Sequence, residues 1–135
     1  MTRINIIPVQ ELFDQHHIAE YREITMVPAA LNRTINSKAG LKVSKINKTF
    51  TLNKGHVYFF YNKGKYLHKR YEQIIKEMKA RGFRPNPNRK FPTTIFIKNN
   101  LYNDWQPSVE DYEIIRERIK SKIKARPLWY KKTTL

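Results

Sequence analysis

The chain has 135 residues, room for one domain with one core, and carries 27 Lys plus Arg against 11 Asp plus Glu, a formal net charge of +16. So large a basic excess predicts a polyanion partner, nucleic acid first and an anionic membrane second. The lack of cysteine excludes a disulfide scaffold, a thiolate zinc site and a cysteine-ligated iron–sulfur cluster, and no apolar run approaches the ~18 residues needed to span a bilayer. The N-terminus lacks the basic-then-apolar pattern of a signal peptide, so a soluble intracellular protein is expected. On composition alone, non-catalytic nucleic-acid binding ranks ahead of an enzyme.

The chain opens Met1-Thr2-Arg3-Ile4-Asn5. A small second residue usually permits removal of the initiator Met, which would leave a free α-amine on Thr2. Such an amine ordinarily titrates at about 7.7–8.0, so a sizeable fraction is neutral near neutral pH and able to form a Schiff base at a sugar carbon. Arg3 and Arg22 are placed to lower that pKa through like-charge repulsion. Many chains begin Met-Thr, and this signal gains weight only from the rest of the sequence.

Residues 14–36 favour helix. Asp14 suits an N-cap, and Ile18, Tyr21, Ile24, Leu31 and Ile35 recur at roughly helical spacing. Pro28 predicts a kink or a split in this run. Residues 37–54 are polar and basic and read as loop, with Lys42, Lys45, Lys48 and Lys54 as solvated charges. The aromatic run Gly55-His56-Val57-Tyr58-Phe59-Phe60-Tyr61 has no partner strand in view and reads as a buried extended segment. A second helix is predicted over residues 65–81, with Leu67, Tyr71, Ile74, Ile75 and Met78 as its apolar stripe and Gly82 as its end. Residues 84–107 hold Pro85, Pro87, Pro92 and Pro107 and read as a long irregular connection, a kind that is often functional. A third helix starts at Ser108, which has capping-box spacing to Asp111. Val109, Tyr112, Ile115, Ile119 and Ile123 give its core face, Arg116, Arg118, Lys120, Lys122 and Lys124 spread around the rest, and Pro127 stops it. The expectation is an all-α fold: a compact single domain, residues 1–135, of about three helices with long irregular loops.

His16, Glu20 and Glu23 fall at i, i+4 and i+7 and share one face of the first helix. Carboxylates on a basic helix most often balance charge. The sharper reading is that a buried Glu passes protons or stabilises an oxocarbenium ion developing at a sugar C1′. The same three residues have donor types that suit a divalent metal, which makes a metal-dependent nuclease one rival, without a second ligand cluster to support it. His56 stands alone and reads as structural. Arg3, Arg22, Arg118 and Lys122 lie on segments able to converge on one face and contact phosphates. Trp129 and Tyr130 beside Lys131 offer stacking surface next to positive charge, suited to unstacked or distorted bases, and equally to a tail docked on the core.

Together these residues resemble the phage-type pyrimidine dimer DNA glycosylase/AP lyase family. The resemblance rests on Met1-Thr2-Arg3-Ile4-Asn5, Asp14-Gln15-His16, Ala19-Glu20-Tyr21-Arg22-Glu23, Gly55-His56-Val57, Phe59-Phe60-Tyr61, Lys69-Arg70, Arg126-Pro127 and Trp129-Tyr130-Lys131. It spans nearly the whole chain, with residues 84–107 poorly covered. It implies a three-helix fold whose Thr2 amine is the nucleophile and whose Glu23 is the essential carboxylate. It places Arg3, Gln15, His16, Arg22, Arg118 and Lys122 at the DNA surface or active site, and ties Trp129, Tyr130 and Lys131 to dimer recognition. The implied activity is excision of ultraviolet-induced pyrimidine dimers through a Schiff base, then strand nicking by β-elimination, with no metal or other cofactor. The implied partner is double-stranded DNA containing dimers or abasic sites, bound by a monomer without a membrane, in the cytoplasm of a bacterial host if the gene is phage-encoded. The family also bends the duplex and flips out a base opposite the lesion. Three positions depart from the pattern: Met26 replaces an arginine, Tyr71 replaces a glutamine, and Lys132-Thr133 stand where more tyrosine is expected. The alternative on residues alone is a non-catalytic basic DNA-binding protein.

Overall fold

A computed structural model describes residues 2–133; the expected removal of Met1 concerns a residue outside that range. Six α-helical segments occur among the described residues: α1 (Asp14–Glu23), α2 (Met26–Ile35), α3 (His56–Phe59), α4 (Gly64–Ala80), α5 (Thr94–Lys98) and α6 (Val109–Ala125). Single 3-10 turns lie at Val9–Glu11, Val43–Lys45 and Phe60–Asn62, and the described residues form no strand. The fold is all-α as expected, but three helices were too few, for three separate reasons. Residues 14–36 form two helices, the aromatic run is helical, and the proline-rich connection contains α5.

The split between α1 and α2 falls at Ile24 and Thr25, ahead of Pro28. Pro28 lies in the first turn of α2, where a missing N–H costs little. The Ile24 carbonyl, which an ordinary residue 28 would bond, instead accepts from the Val27 amide at 3.3 Å. Asp14 is not the N-cap. Phe13 holds that position with extended backbone, and Asp14 is the first helical residue. Its carboxylate is used elsewhere, accepting from Arg81 at 3.0 Å and from the Thr133 hydroxyl at 2.7 Å.

The aromatic run corrects the extended-segment reading. His56, Phe59, Phe60 and Tyr61 are buried in a short helical turn, with Phe50 and Trp105 meeting the Phe59 and Phe60 rings. An uninterrupted apolar run has neither period 2 nor period 3.6, so its pattern does not separate a buried strand from a buried helical turn. At the start of α4, Gly64 packs directly against the Phe96 ring, and a Cβ there would overlap it. The helix ends as expected: Gly82 has φ +84°, its amide bonds Lys79 O at 3.1 Å and the Phe83 amide bonds Met78 O at 2.8 Å, a Schellman arrangement. α6 begins with the predicted capping box between Ser108 and Asp111. Of its expected core face, Ile115 and Ile119 are buried, Tyr112 and Ile123 half-buried, and Val109 exposed.

Two arginines, Arg70 within α4 and Arg81 immediately after its last residue, organise the interior. Arg70 donates to both oxygens of Glu20, at 2.6 and 2.9 Å, and to the Ile7 carbonyl. About three turns on, Arg81 bonds Glu77, Asp14 and the Val9 carbonyl. They fix the N-terminal segment and α1 against α4. Between them the chain makes a sharp turn at Ile6, whose φ of +43° is costly for a β-branched residue. The turn persists because Asn5 is held by Glu20 on one side and Ile7 by Arg70 on the other.

Candidate active site

The first residues run between α1 and α3. Three consecutive amides are captured by side chains: Arg3 N–H donates to Glu23 Oε1 at 2.8 Å, Ile4 N–H to His56 Nε2 at 2.9 Å, and Asn5 N–H to Glu20 Oε1 at 3.0 Å. Thr2 is half-buried, and its hydroxyl approaches Met26 Sδ at 3.5 Å. Residue 2 is thereby one peptide unit from the Glu23 carboxylate. That carboxylate is half-buried, and its pKa is raised by burial, against the Arg3 amide and the Arg118 charge, which both lower it. The Arg3 guanidinium donates to Leu52 O at 2.6 Å, and its own pKa is lowered by burial and then by Arg118. Arg118 reaches this cluster from α6, lowered by burial and supported by Glu23 and Tyr130.

The three stripe residues of α1 do share a face, but with different fates. Glu20 is 1% exposed and saturated by Arg70 and Asn5, so it is a structural anchor rather than a surface charge. Glu23 opens to the N-terminal segment. His16 is buried beneath the Tyr130 ring, stacked at 4.8 Å and 6°, and its pKa falls to about 4 through burial and then Arg118 and Lys122, against Glu20. The metal reading of this stripe fails on geometry: among the described residues no three His, Cys, Asp or Glu are grouped to hold an ion, and the Glu20 carboxylate is committed to Arg70.

The C-terminal tail lies along the start of α1. Gln15 clasps it at two points, donating to Trp129 O at 2.6 Å and accepting from the Lys131 amide at 3.0 Å. The Asp14 amide bonds Lys131 O at 2.7 Å. Gln15 and His16 thus brace the tail rather than lie open. Trp129 remains 48% exposed with the Arg126 guanidinium 4.6 Å from its ring, and Arg22, Lys122 and Lys131 are exposed. The unusual positions are absorbed locally. Met26 faces Thr2, Thr133 is tied to Asp14, and the Tyr71 hydroxyl donates to Arg89 O at 2.9 Å while its ring stacks on Tyr21.

Sequence reasoning missed His56, Asn5 and Arg70 as parts of this site. Arg70 was visible only as half of Lys69-Arg70, and nothing local marks its pairing with Glu20. A family model for pyrimidine dimer DNA glycosylase matches residues 1–91, which include Thr2, Arg3, Gln15, His16, Arg22 and Glu23. Arg118, Lys122 and the tail lie beyond the match; the tail is joined to it by the contacts described above, Arg118 and Lys122 by their charge. With well over half its length matched, the chain belongs to the pyrimidine dimer DNA glycosylase family and is a DNA-repair glycosylase.

Proposed function

We propose that the chain is a bifunctional glycosylase and AP lyase for cyclobutane pyrimidine dimers, with the α-amine of Thr2 as nucleophile once Met1 is removed. The supporting observation is the 2.8 Å bond from the Arg3 amide to Glu23, which sets residue 2 beside a half-buried acid of raised proton affinity. The neutral amine attacks C1′ of the damaged nucleotide, and the base leaves with the electron pair of the glycosidic bond. A proton passes from the nitrogen to the ring oxygen as the sugar opens to an iminium. The iminium withdraws electrons from C2′, a base takes the C2′ proton, and the C3′–O bond breaks, so the phosphate leaves with its electron pair. Water then hydrolyses the imine and restores the amine. Glu23 stabilises the positive charge at C1′ and moves protons. An abasic site enters the same path at the iminium, and no metal or other cofactor is required.

Arg22, Arg118 and Lys122 hold phosphates in this reading and the buried Arg3 lines the active site, while Gln15 and His16 brace a tail whose Trp129, Tyr130 and Lys131 meet the distorted bases. In this reading the chain acts as a monomer. The test is borohydride trapping on ultraviolet-irradiated duplex in EDTA, with the adduct mapped by mass spectrometry. A cross-link at the Thr2 nitrogen, lost when Met1 is retained, is the expected result. An adduct mapped to a lysine overturns the reading.

A further inference from the structure

We infer that His56 is a positioning residue: a neutral imidazole with its proton on Nδ1, it fixes the outer edge of the N-terminal segment and so aims residue 2 at Glu23. The inference rests on the amine reading proposed above. Successive amides of an extended segment point to opposite sides. Here Arg3 and Asn5 turn theirs to Glu23 and Glu20 of α1, while Ile4 turns its amide to His56 at the start of α3. The two carboxylates hold one edge only. Without His56 the other edge has lost the acceptor for Ile4, and the segment is free to pivot about α1.

The tautomer follows from the partners. A backbone N–H only donates, so Nε2 must carry a lone pair. A neutral ring then has its proton on Nδ1, which donates to the Thr51 carbonyl at 2.8 Å. Both nitrogens are committed, and a second proton would cost the Ile4 bond. The ring is 2% exposed and gripped edge-on by Phe50 at 5.5 Å and Phe60 at 5.2 Å. Burial lowers its pKa to about 4 against the Thr51 bond; Arg3 and Arg118 add to the lowering and Glu20 opposes it. Thr51 and Leu52 accept from His56 and Arg3 respectively, so the end of the lysine-rich loop is tied into the same positioning device.

The experiment compares wild type with His56→Phe and His56→Gln at saturating enzyme, measuring the single-turnover rate of trapped adduct on dimer-containing duplex. Misplacing a reacting group by about 1 Å costs about 10²-fold, and that is the loss expected of the Phe variant, with affinity for undamaged duplex held within about twofold. Gln offers an oxygen to the Ile4 amide, and should recover at least about tenfold of that loss. In wild type, ¹⁵N NMR should show a bare Nε2 and a protonated Nδ1 at pH 7. An Nε2-protonated ring overturns the inference, as does a wild-type rate in the Phe variant. So does a loss that is equal in both variants and tracks their folded fraction in thermal melts. If wild type forms no adduct at the Thr2 nitrogen, the amine reading fails and this inference falls with it. An adduct in wild type with an unchanged rate in the Phe variant removes only the role of His56.

Discussion

Glu20 and Glu23 lie within one turn of each other on α1, and their neighbours set them different tasks. Both oxygens of Glu20 are engaged inside the core, by Arg70 and the Asn5 amide, leaving it nothing to offer a substrate. Glu20→Ala would strand a buried guanidinium, and the expected loss is roughly 3–5 kcal/mol of stability in urea unfolding. A loss below about 1 kcal/mol would show that Arg70 finds other partners or water. Among the described residues Glu23 accepts one hydrogen bond, from the Arg3 amide, and it stays half open. Glu23→Gln keeps size and hydrogen bonding while removing the charge and the proton. It should slow turnover at least about 10²-fold and leave lesion binding largely intact. Wild-type turnover in this variant would reduce Glu23 to balancing charge.

At the scale of elements, the tail and α1 form one unit through Gln15, His16 and Asp14. Trp129 projects from it half-exposed beside Arg126, and in the function proposed above a poorly stacked base settles there. Trp129→Ala should weaken binding of dimer-containing duplex by about 1–3 kcal/mol, and binding of intact duplex by less. The melting temperature is measured in the same variant, and equal losses on both duplexes would make Trp129 a structural anchor. The elements legible in the sequence are those whose signals are local. α4 shows a stripe and a terminal glycine, and α6 shows Ser108 and Asp111 at capping distance. α1 is less legible because its buried face is His16, His17, Glu20 and Tyr21, mostly polar, so apolar periodicity understates it. α3 is hidden by continuous apolar sequence. The opening residues draw attention to Thr2 and the helical stripe to His16, Glu20 and Glu23 together; only the family resemblance singles out Glu23 and gives Thr2 the nucleophile's part. Their bracing is not legible, because Arg70 lies 50 residues from Glu20 and His56 lies 52 from Ile4.

For the whole molecule, charge and burial pull against each other. The net +16 favours a polyanion partner, and in the function proposed above the exposed Arg22 and half-buried Arg118 share in phosphate contact. Replacing either by Ala should lower the slope of log affinity against log salt by about one unit, and by similar amounts in different flanking sequences. A loss confined to one sequence would instead mean base readout. The same charge makes acid a stress, through three histidines. Burial is the first cause of lowering at His16, His17 and His56, to about 4 for His16 and His56, from an ordinary 6.5. Between those values the unfolded chain binds protons that the folded chain refuses. The stability these neutral rings provide is therefore fully present above about pH 6.5 and is lost as pH falls toward 4. Each group adds up to about 1.4 kcal/mol per pH unit to the slope within that window. Glu23, raised by burial, works in the opposite sense: its uncharged form favours the fold, so it offsets part of the loss only at the acid end. Urea unfolding in steps from pH 8 to pH 4 should show a plateau and then a steep fall. His56→Gln should flatten the fall by up to one proton, because its amide does not titrate. A flat stability profile down to pH 4.5 would mean that these rings titrate as they do in the unfolded chain.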